Sequence, residues 1–133
     1  MNHQQRFYHC AHCGKIIGVI EDTDVPVFCC GEAMQPMTAK DSNNCPDKKL
    51  PYVRARDHHV SVFVGPAKHE PLEDYDHVGW VYVETNQGGH RKNLCPENRP
   101  EVSFVLSDEE RARRVFAYCN KHGLWKADLH TEC

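Results

Sequence analysis

Four cysteines in two close pairs lie within the first 30 residues of this 133-residue chain. The first pair is Cys10-Ala11-His12-Cys13 and the second is the directly adjacent Cys29-Cys30, and each pair is followed at once by glycine. Four thiolates that converge on one point form a tetrahedral metal site, which suits both iron and zinc. Adjacent cysteines cannot share the tight turn of a C-x-x-C pair, so they must splay apart to bind one ion. The spacing therefore predicts a metal site with one widened sulfur–metal–sulfur angle.

A disulfide framework is the alternative for the eight cysteines, because small secreted domains are often cross-linked by disulfides. The close spacing of the pairs favours metal ligation. The chain begins Met-Asn-His-Gln-Gln-Arg without a basic-then-apolar leader, and no apolar run approaches the ~18 residues of a membrane span. These features predict a cytoplasmic protein with no membrane partner, in a reducing compartment where paired cysteines bind metal.

The length and charge of the chain narrow its organisation and partners. The formal net charge is −3 with ten histidines counted as neutral, and no basic stripe stands out, so a nucleic-acid partner is not expected. A segment of ~40 residues buries too little apolar surface to fold without a metal. The cysteine pairs therefore favour a metal module over residues 1–38, a polar linker over residues 39–49 and a second domain over residues 50–133.

The metal module is predicted to contain a short hairpin. Residues 15–20 and 25–28 are β-type runs, and the polar residues 21–24 between them are typical of a turn. A hairpin built from these two runs would present one cysteine pair at each end.

Short β-type runs also recur after residue 50, separated by glycine- and proline-containing turns. They cover residues 52–53, 60–64, 78–83, 102–106 and 113–118, the last of which is predicted to be the final strand. This pattern is typical of an antiparallel β-sandwich. Ser107-Asp108-Glu109-Glu110 resembles a capping box and predicts a short helical turn. The chain as a whole is expected to be mainly β.

A second group of candidate ligands lies near the end of the chain, in Cys119-Asn120-Lys121-His122-Gly123. A cysteine and a histidine three residues apart can place a thiolate and an imidazole on the same side of a tight turn, as two ligands of one metal require. His69, in a segment rich in glycine and proline, is a third candidate. Structural burial of Cys119 is the alternative interpretation.

Taken together, these motifs resemble the desulfoferrodoxins, the two-iron superoxide reductase family, over nearly the whole chain. The most specific matches are the Cys-Cys-Gly-Glu-x-Met motif that begins at Cys29 and the Tyr-Cys-Asn-x-His-Gly-x-Trp-Lys motif that begins at Tyr118. The resemblance implies a desulforedoxin/rubredoxin-like module whose iron is held by Cys10, Cys13, Cys29 and Cys30. It also implies an immunoglobulin-like β-sandwich with a second, non-haem iron, a homodimer, and a rubredoxin-like electron donor.

In this family the second iron has four equatorial histidines and one axial cysteine, with the sixth position open for superoxide. The resemblance assigns Cys119 as the axial thiolate and His69 and His122 as imidazole ligands. The other two histidines do not match. Lys49 stands in place of one of them, and His77 lies one residue beyond the expected position of the other. The loop that contains His77 is one residue longer than usual, so His77 is either a ligand or an exposed loop histidine.

The resemblance also implies roles for two residues beside the missing ligand. Lys48 would draw the superoxide anion toward the open face of the iron, and Asp47 stands where the family has a glutamate that can close over ferric iron. An ordinary solvated linker is the alternative for this segment.

The resemblance and the missing ligands leave two candidate functions. One is an enzyme that reduces superoxide to hydrogen peroxide, with the four-cysteine iron in electron transfer. The other is a non-catalytic electron carrier or redox-responsive iron protein whose second site is degenerate or empty.

Overall fold

The computed structural model describes residues 5–41, 52–56, 58–63, 79–94, 101–119 and 123–129. These residues form thirteen β-strands and no helix, so the prediction of a mainly β chain is confirmed. None of the described ranges supplies a helix long and apolar enough to cross a membrane. The chain divides into two compact units, Met1–Thr38 and Ala39–Cys133.

Five short strands form the first unit: β1 (Arg6–His9), β2 (Ile16–Val19), β3 (Phe28–Cys29), β4 (Glu32–Ala33) and β5 (Gln35–Pro36). β1 lies between β2 and β5 and is antiparallel to both, while β3 and β4 pair as a separate two-stranded ribbon. Phe7, Cys10 and Met34 are the buried apolar side chains among the described residues of this unit. So few buried side chains supply little hydrophobic stabilisation, as expected for a module that needs an additional cross-link.

The predicted hairpin between residues 15–20 and 25–28 is wrong. The first run pairs with β1 instead, and in the second run only Phe28 lies in a strand. The cause lies in the loop between them, where the Asp24 N–H donates to Asp22 Oδ1 at 3.1 Å and Asp24 adopts a φ of 69°. This local turn directs the chain away from β2. Pro26 then has no N–H with which to form a strand ladder.

Eight strands form the second unit: β6 (Lys40–Asp41), β7 (Tyr52–Arg56), β8 (His59–Phe63), β9 (Gly79–Thr85), β10 (Gly88–Leu94), β11 (Glu101–Val105), β12 (Ala112–Cys119) and β13 (Gly123–Asp128). They make a five-stranded sheet in the order β10-β9-β12-β13-β6 and a three-stranded sheet in the order β11-β8-β7. The β13–β6 pair is parallel, and the other pairs are antiparallel. Residues 40 and 41, at the start of the predicted linker, thus belong to a sheet, and residues 42–49 lie outside the described residues.

One buried apolar cluster takes side chains from both sheets of the second unit. Its members from the five-stranded sheet are Val81, Val83 and Val115, and those from the three-stranded sheet are Val60, Val62 and Phe104. Alternate residues of β8 and β9 enter the cluster, which is the period of a strand with one buried face. Two sheets that share one core form a sandwich, so the predicted β-sandwich is confirmed. The more specific immunoglobulin-like topology stays a prediction.

Besides β6, two strands of the second unit, β10 and β13, were not predicted. The assignment of residues 113–118 as the last strand is wrong, because β13 follows β12. β13 buries Leu124 and Ala127, which are three residues apart and so lack the strand period of two. β10 is an edge strand that consists mostly of glycine and polar residues. This composition protects an edge strand from pairing with other chains, but it lacks the hydrophobic pattern by which a strand is predicted.

A buried carboxylate joins the loop after β11 to the β9–β10 hairpin. Glu110 accepts hydrogen bonds from Thr85 Oγ1 at 2.6 Å and from the Ser107 N–H at 3.1 Å, and it lies 2.8 Å from His90 Nε2. The Glu110 N–H in turn donates to the Ser107 carbonyl at 3.2 Å, so residues 107–110 form a hydrogen-bonded turn, although not the helical turn predicted from the capping-box pattern. These hydrogen bonds lower the pKa of Glu110 to about 2, and the bond from Thr85 has the largest effect.

Replacing Glu110 with glutamine is expected to lower the free energy of unfolding of the second unit at pH 7 by about 1–3 kcal/mol, because a charge-assisted acceptor is lost. A carboxyl whose folded pKa is depressed stabilises the fold above its unfolded pKa, and this contribution disappears as pH falls toward about 2. The difference between the parent and Glu110→Gln should therefore shrink between about pH 4.5 and pH 2.

Urea denaturation followed by tryptophan fluorescence measures this difference, because both tryptophans, Trp80 and Trp125, lie in the second unit. Glu109→Gln is the matched control, since Glu109 is exposed. A stability difference that stays constant from pH 7 to pH 2 would contradict the assignment of a depressed Glu110 pKa.

Candidate metal centre

The first cysteine pair lies in the tight turn between β1 and β2. The Gly14 N–H donates to the Cys10 carbonyl at 3.0 Å, and the Cys10 N–H donates to the Lys15 carbonyl at 2.9 Å. Gly14 has a φ of 82°, a left-handed conformation that glycine adopts without the clash that a Cβ causes. The N–H groups of His12 and Cys13 lie 3.4 and 3.5 Å from Cys10 Sγ. The turn therefore surrounds one sulfur with backbone donors, which stabilises its thiolate form.

The second cysteine pair lies at the turn between β3 and β4. Cys29 ends β3 in register with Glu32, and the two residues between them, Cys30 and Gly31, have φ values of 55° and 81°. A two-residue hairpin loop with two positive φ values is typical of a type I′ turn. A left-handed conformation at a residue other than glycine costs about 1–2 kcal/mol. The second of the two adjacent cysteines thus occupies a turn position that is strained for a residue other than glycine.

The two turns bring four sulfur atoms together. The Sγ atoms of Cys10, Cys13, Cys29 and Cys30 all lie within 4.8 Å of one another. Cys13 Sγ and Cys29 Sγ are 3.7 Å apart, and Cys29 Sγ and Cys30 Sγ are 3.9 Å apart. A tetrahedral ion with metal–sulfur distances of ~2.3 Å separates its ligands by about 3.8 Å. The cluster fits a metal ion at these spacings, and none of the four cysteines forms a disulfide.

The pKa values of the cysteine thiols also favour binding of a cation between the four sulfurs. The N–H of Cys13, followed by that of His12, lowers the pKa of the Cys10 thiol to about 6. Hydrogen bonding to Cys10 and then to Cys13 raises the pKa of Cys29 to about 12 and raises that of Cys30. Four sulfurs this close cannot all become thiolates unless a positive charge lies between them. A bound metal supplies that charge.

The four cysteines differ in their access to solvent. Cys10 is buried, Cys29 is half-buried, and Cys13 and Cys30 are exposed. A site closed by four protein sulfurs has no open coordination position for a substrate, which suits electron transfer or structural support. Cys13 and Cys30 therefore leave one edge of this site accessible to solvent.

A polar side-chain contact joins the two cysteine turns. His12 Nε2 lies 3.0 Å from Glu32 Oε1, and both side chains are more than half exposed. Neither residue was predicted to be part of a site. Their contact depends on how the two turns face each other, for which the sequence carries no local signal.

The predicted second metal site lies almost wholly outside the described residues. This holds for the residues assigned as ligands or as catalytic groups, namely His69, His77, His122, Asp47 and Lys48. Cys119 is described through its backbone alone. It ends β12, the central strand of the five-stranded sheet, in register with Gly79 of β9 and Gly123 of β13. The second site therefore stays a prediction.

Comparison with known proteins extends these observations. Residues 37–128 match the family model described as Desulfoferrodoxin. The chain is 34% identical to a desulfoferrodoxin homolog from Archaeoglobus fulgidus and 31% identical to a desulfoferrodoxin from Nitratidesulfovibrio vulgaris. Each of these alignments covers 96% of this chain and 99% of the relative, so the similarity includes the four-cysteine unit as well as the sandwich.

A solved structure has the same fold. The crystal structure of the superoxide reductase from Treponema pallidum superposes with a TM-score of 0.72 and 24% identity, and it covers 92% of this chain and 97% of its own. The resemblance inferred from the cysteine and Tyr-Cys-Asn motifs is thus confirmed. The chain belongs to the desulfoferrodoxin family of non-haem iron redox proteins.

Proposed function

We propose that this protein is a two-iron superoxide reductase. The reaction combines one superoxide anion, one electron and two protons to give one hydrogen peroxide. The observation that carries the proposal is the convergence of four sulfur atoms within 4.8 Å in a member of this family. A closed thiolate site of this kind supplies electron transfer, and the chemistry on superoxide is assigned to the second site.

Cys10, Cys13, Cys29 and Cys30 would hold the first iron, which supplies a one-electron redox centre. The N–H groups of His12 and Cys13 withdraw electron density from Cys10 Sγ and so favour the reduced state of the site. Burial of Cys10 and exposure of Cys13 and Cys30 give the site a protein side and a solvent side. Electrons would be exchanged with a partner at the solvent side.

Cys119, His69 and His122 would hold the second iron, which supplies an electron to superoxide, and His77 is either a fourth ligand or an exposed loop histidine. Both strand neighbours of position 119, Gly79 and Gly123, are glycines. Since residues in register share a face of the sheet, no side chain from these neighbours fills the space beside position 119. This leaves room for an ion at the end of the central strand.

Lys48 and Asp47 are assigned to the approach of the substrate. A lysine ammonium beside an open metal face raises the local concentration of an anion such as superoxide. Lys49 adds a second positive charge at the same place. Asp47 would supply a carboxylate beside the second iron, in the position of the family's glutamate, although its side chain is one methylene shorter than that of glutamate.

A non-catalytic electron carrier or redox-responsive iron protein is the second candidate. The substitution of lysine for a ligand histidine at position 49 favours it. In this alternative the four-cysteine site is retained and the sandwich site is degenerate or empty. The geometry of the four-cysteine site is compatible with both functions, so the occupancy of the second site decides between a superoxide reductase and an electron carrier.

The family resemblance also supports the proposed partners. A rubredoxin-like protein would donate electrons, and the exposed edge at Cys13 and Cys30 offers it access to the first iron. A homodimer in the cytoplasm is the expected state of the protein. Superoxide is the proposed substrate.

Metal content and visible absorption distinguish the two functions. A superoxide reductase is expected to bind two irons per chain and to show a thiolate-to-ferric band separate from that of the four-cysteine site. Cys119→Ser should remove that band and one iron, while Cys13→Ser should remove the four-sulfur chromophore. Cys133→Ser is the matched control for loss of a thiol. One iron per chain, with a spectrum that Cys119→Ser leaves unchanged, would favour the electron carrier.

Restoring an imidazole at position 49 tests the cost of the missing ligand. Lys49→His is expected to tighten iron binding at the second site about tenfold or more, because a ligand replaces a repelling charge. Lys49→Gln removes the same charge without adding a ligand and serves as the control. The measurement is iron affinity at the second site, together with superoxide consumption in the presence of an electron donor. Equal affinities of the two variants would show that position 49 does not reach the metal.

A further inference from the structure

The two cysteine turns of the first unit belong to different β-structures. The Cys10–Cys13 turn joins two strands of the three-stranded sheet, and the Cys29–Cys30 turn lies in the β3–β4 ribbon. Among the described residues, one polar contact between the turns does not involve a cysteine sulfur, namely the His12–Glu32 pair at 3.0 Å. The other contacts are Cys13 Sγ to Cys29 Sγ at 3.7 Å and Cys10 Sγ to the Cys29 carbonyl at 3.8 Å.

We propose that the His12–Glu32 pair is a clasp that holds the two cysteine turns together and slows release of metal from the four-cysteine site. This proposal rests on the proposed binding of iron by the four cysteines. His12 and Glu32 are positioning residues, because they act on the site through the turns and do not ligate the metal themselves.

Each partner of the clasp is directly connected to a ligand. The backbone N–H of His12 lies 3.4 Å from Cys10 Sγ, within hydrogen-bonding range for sulfur. Glu32 is the strand partner of Cys29, so the β3–β4 ladder transmits a displacement of one to the other. A contact between the two side chains therefore restrains ligands on both sides of the metal.

The second turn needs such a restraint more than the first. Cys30 is exposed and has a φ of 55°, so this ligand lies on the solvent side of the site in a strained conformation. Relaxation of the turn would move Cys30 away from the metal and open the site to a competing ligand. The clasp lies next to this turn and opposes that movement.

The clasp does not depend on protonation of the histidine. A neutral imidazole with its proton on Nε2 donates a hydrogen bond to the carboxylate, and an imidazolium does the same with an added charge. The pair is exposed, so its effect on the rate of metal release should be modest, about two- to fivefold. High salt should weaken it further.

A double-mutant cycle on the iron-loaded full-length chain tests the clasp. The Cys119→Ser background is used, so that visible absorption reports the four-cysteine site alone. Excess EDTA is added, and the loss of the sulfur-to-iron band is followed in the parent, His12→Ala, Glu32→Ala and the double variant. Each single variant should release iron about two- to fivefold faster than the parent, and the double variant no faster than the singles.

Two further variants separate the clasp from general effects on the module. Glu32→Gln keeps an oxygen acceptor for the His12 N–H and should restore most of the slow release. Glu21→Ala removes an exposed carboxylate of the same unit and should match the parent. Unchanged release rates in both single variants, or effects that add in the double variant, would overturn the clasp. Failure of the parent to bind iron at its four sulfurs would instead overturn the proposed function.

Discussion

The repulsion among four crowded sulfur atoms is the constraint on which the first unit depends. Backbone N–H donors lower the pKa of Cys10, while the neighbouring sulfurs within 4.8 Å raise the pKa values of Cys29 and Cys30, which hold their protons. A metal cation removes this conflict, because it converts repulsion between neighbours into attraction toward a shared centre. The unit buries few apolar side chains, so the metal would also serve as the cross-link between its sheet and its ribbon.

The second unit depends on packing and register instead. A valine-rich core joins its two sheets, and an ion-pair network aligns three neighbouring strands of the larger one. Arg114 of β12 contacts Glu84 of β9 at 2.9 Å and Asp128 of β13 at 2.8 Å, with all three in register. The other ends of the same strands carry Gly79, Cys119 and Gly123. A one-residue slip would move position 119 to the opposite face, so this network specifies where the proposed axial ligand lies.

The sequence predicted the features that depend on local spacing. Two cysteine pairs with glycine after each indicated a metal site, and short β-type runs separated by glycine- and proline-containing turns indicated the sandwich. Strand pairing in the first unit was mispredicted because an aspartate turn and Pro26, which are loop features, decide the partner of β2. The contact of His12 with Glu32 could not be predicted, since it joins residues 20 positions apart whose turns meet only in the folded unit. Long-range geometry of this kind leaves no periodic signal.

The two proposed sites respond differently to the loss of a ligand. A four-thiolate site has no open coordination position. Removal of one sulfur leaves three thiolate ligands and disrupts the tetrahedral coordination of the ion. The proposed histidine and cysteine site has an open position that water can fill, so a lysine at position 49 would lower its metal affinity without removing every ligand. Electron transfer at the closed site needs no open position. Substitution at the proposed second site would therefore change a reductase toward an electron carrier, while electron transfer at the first unit would be retained.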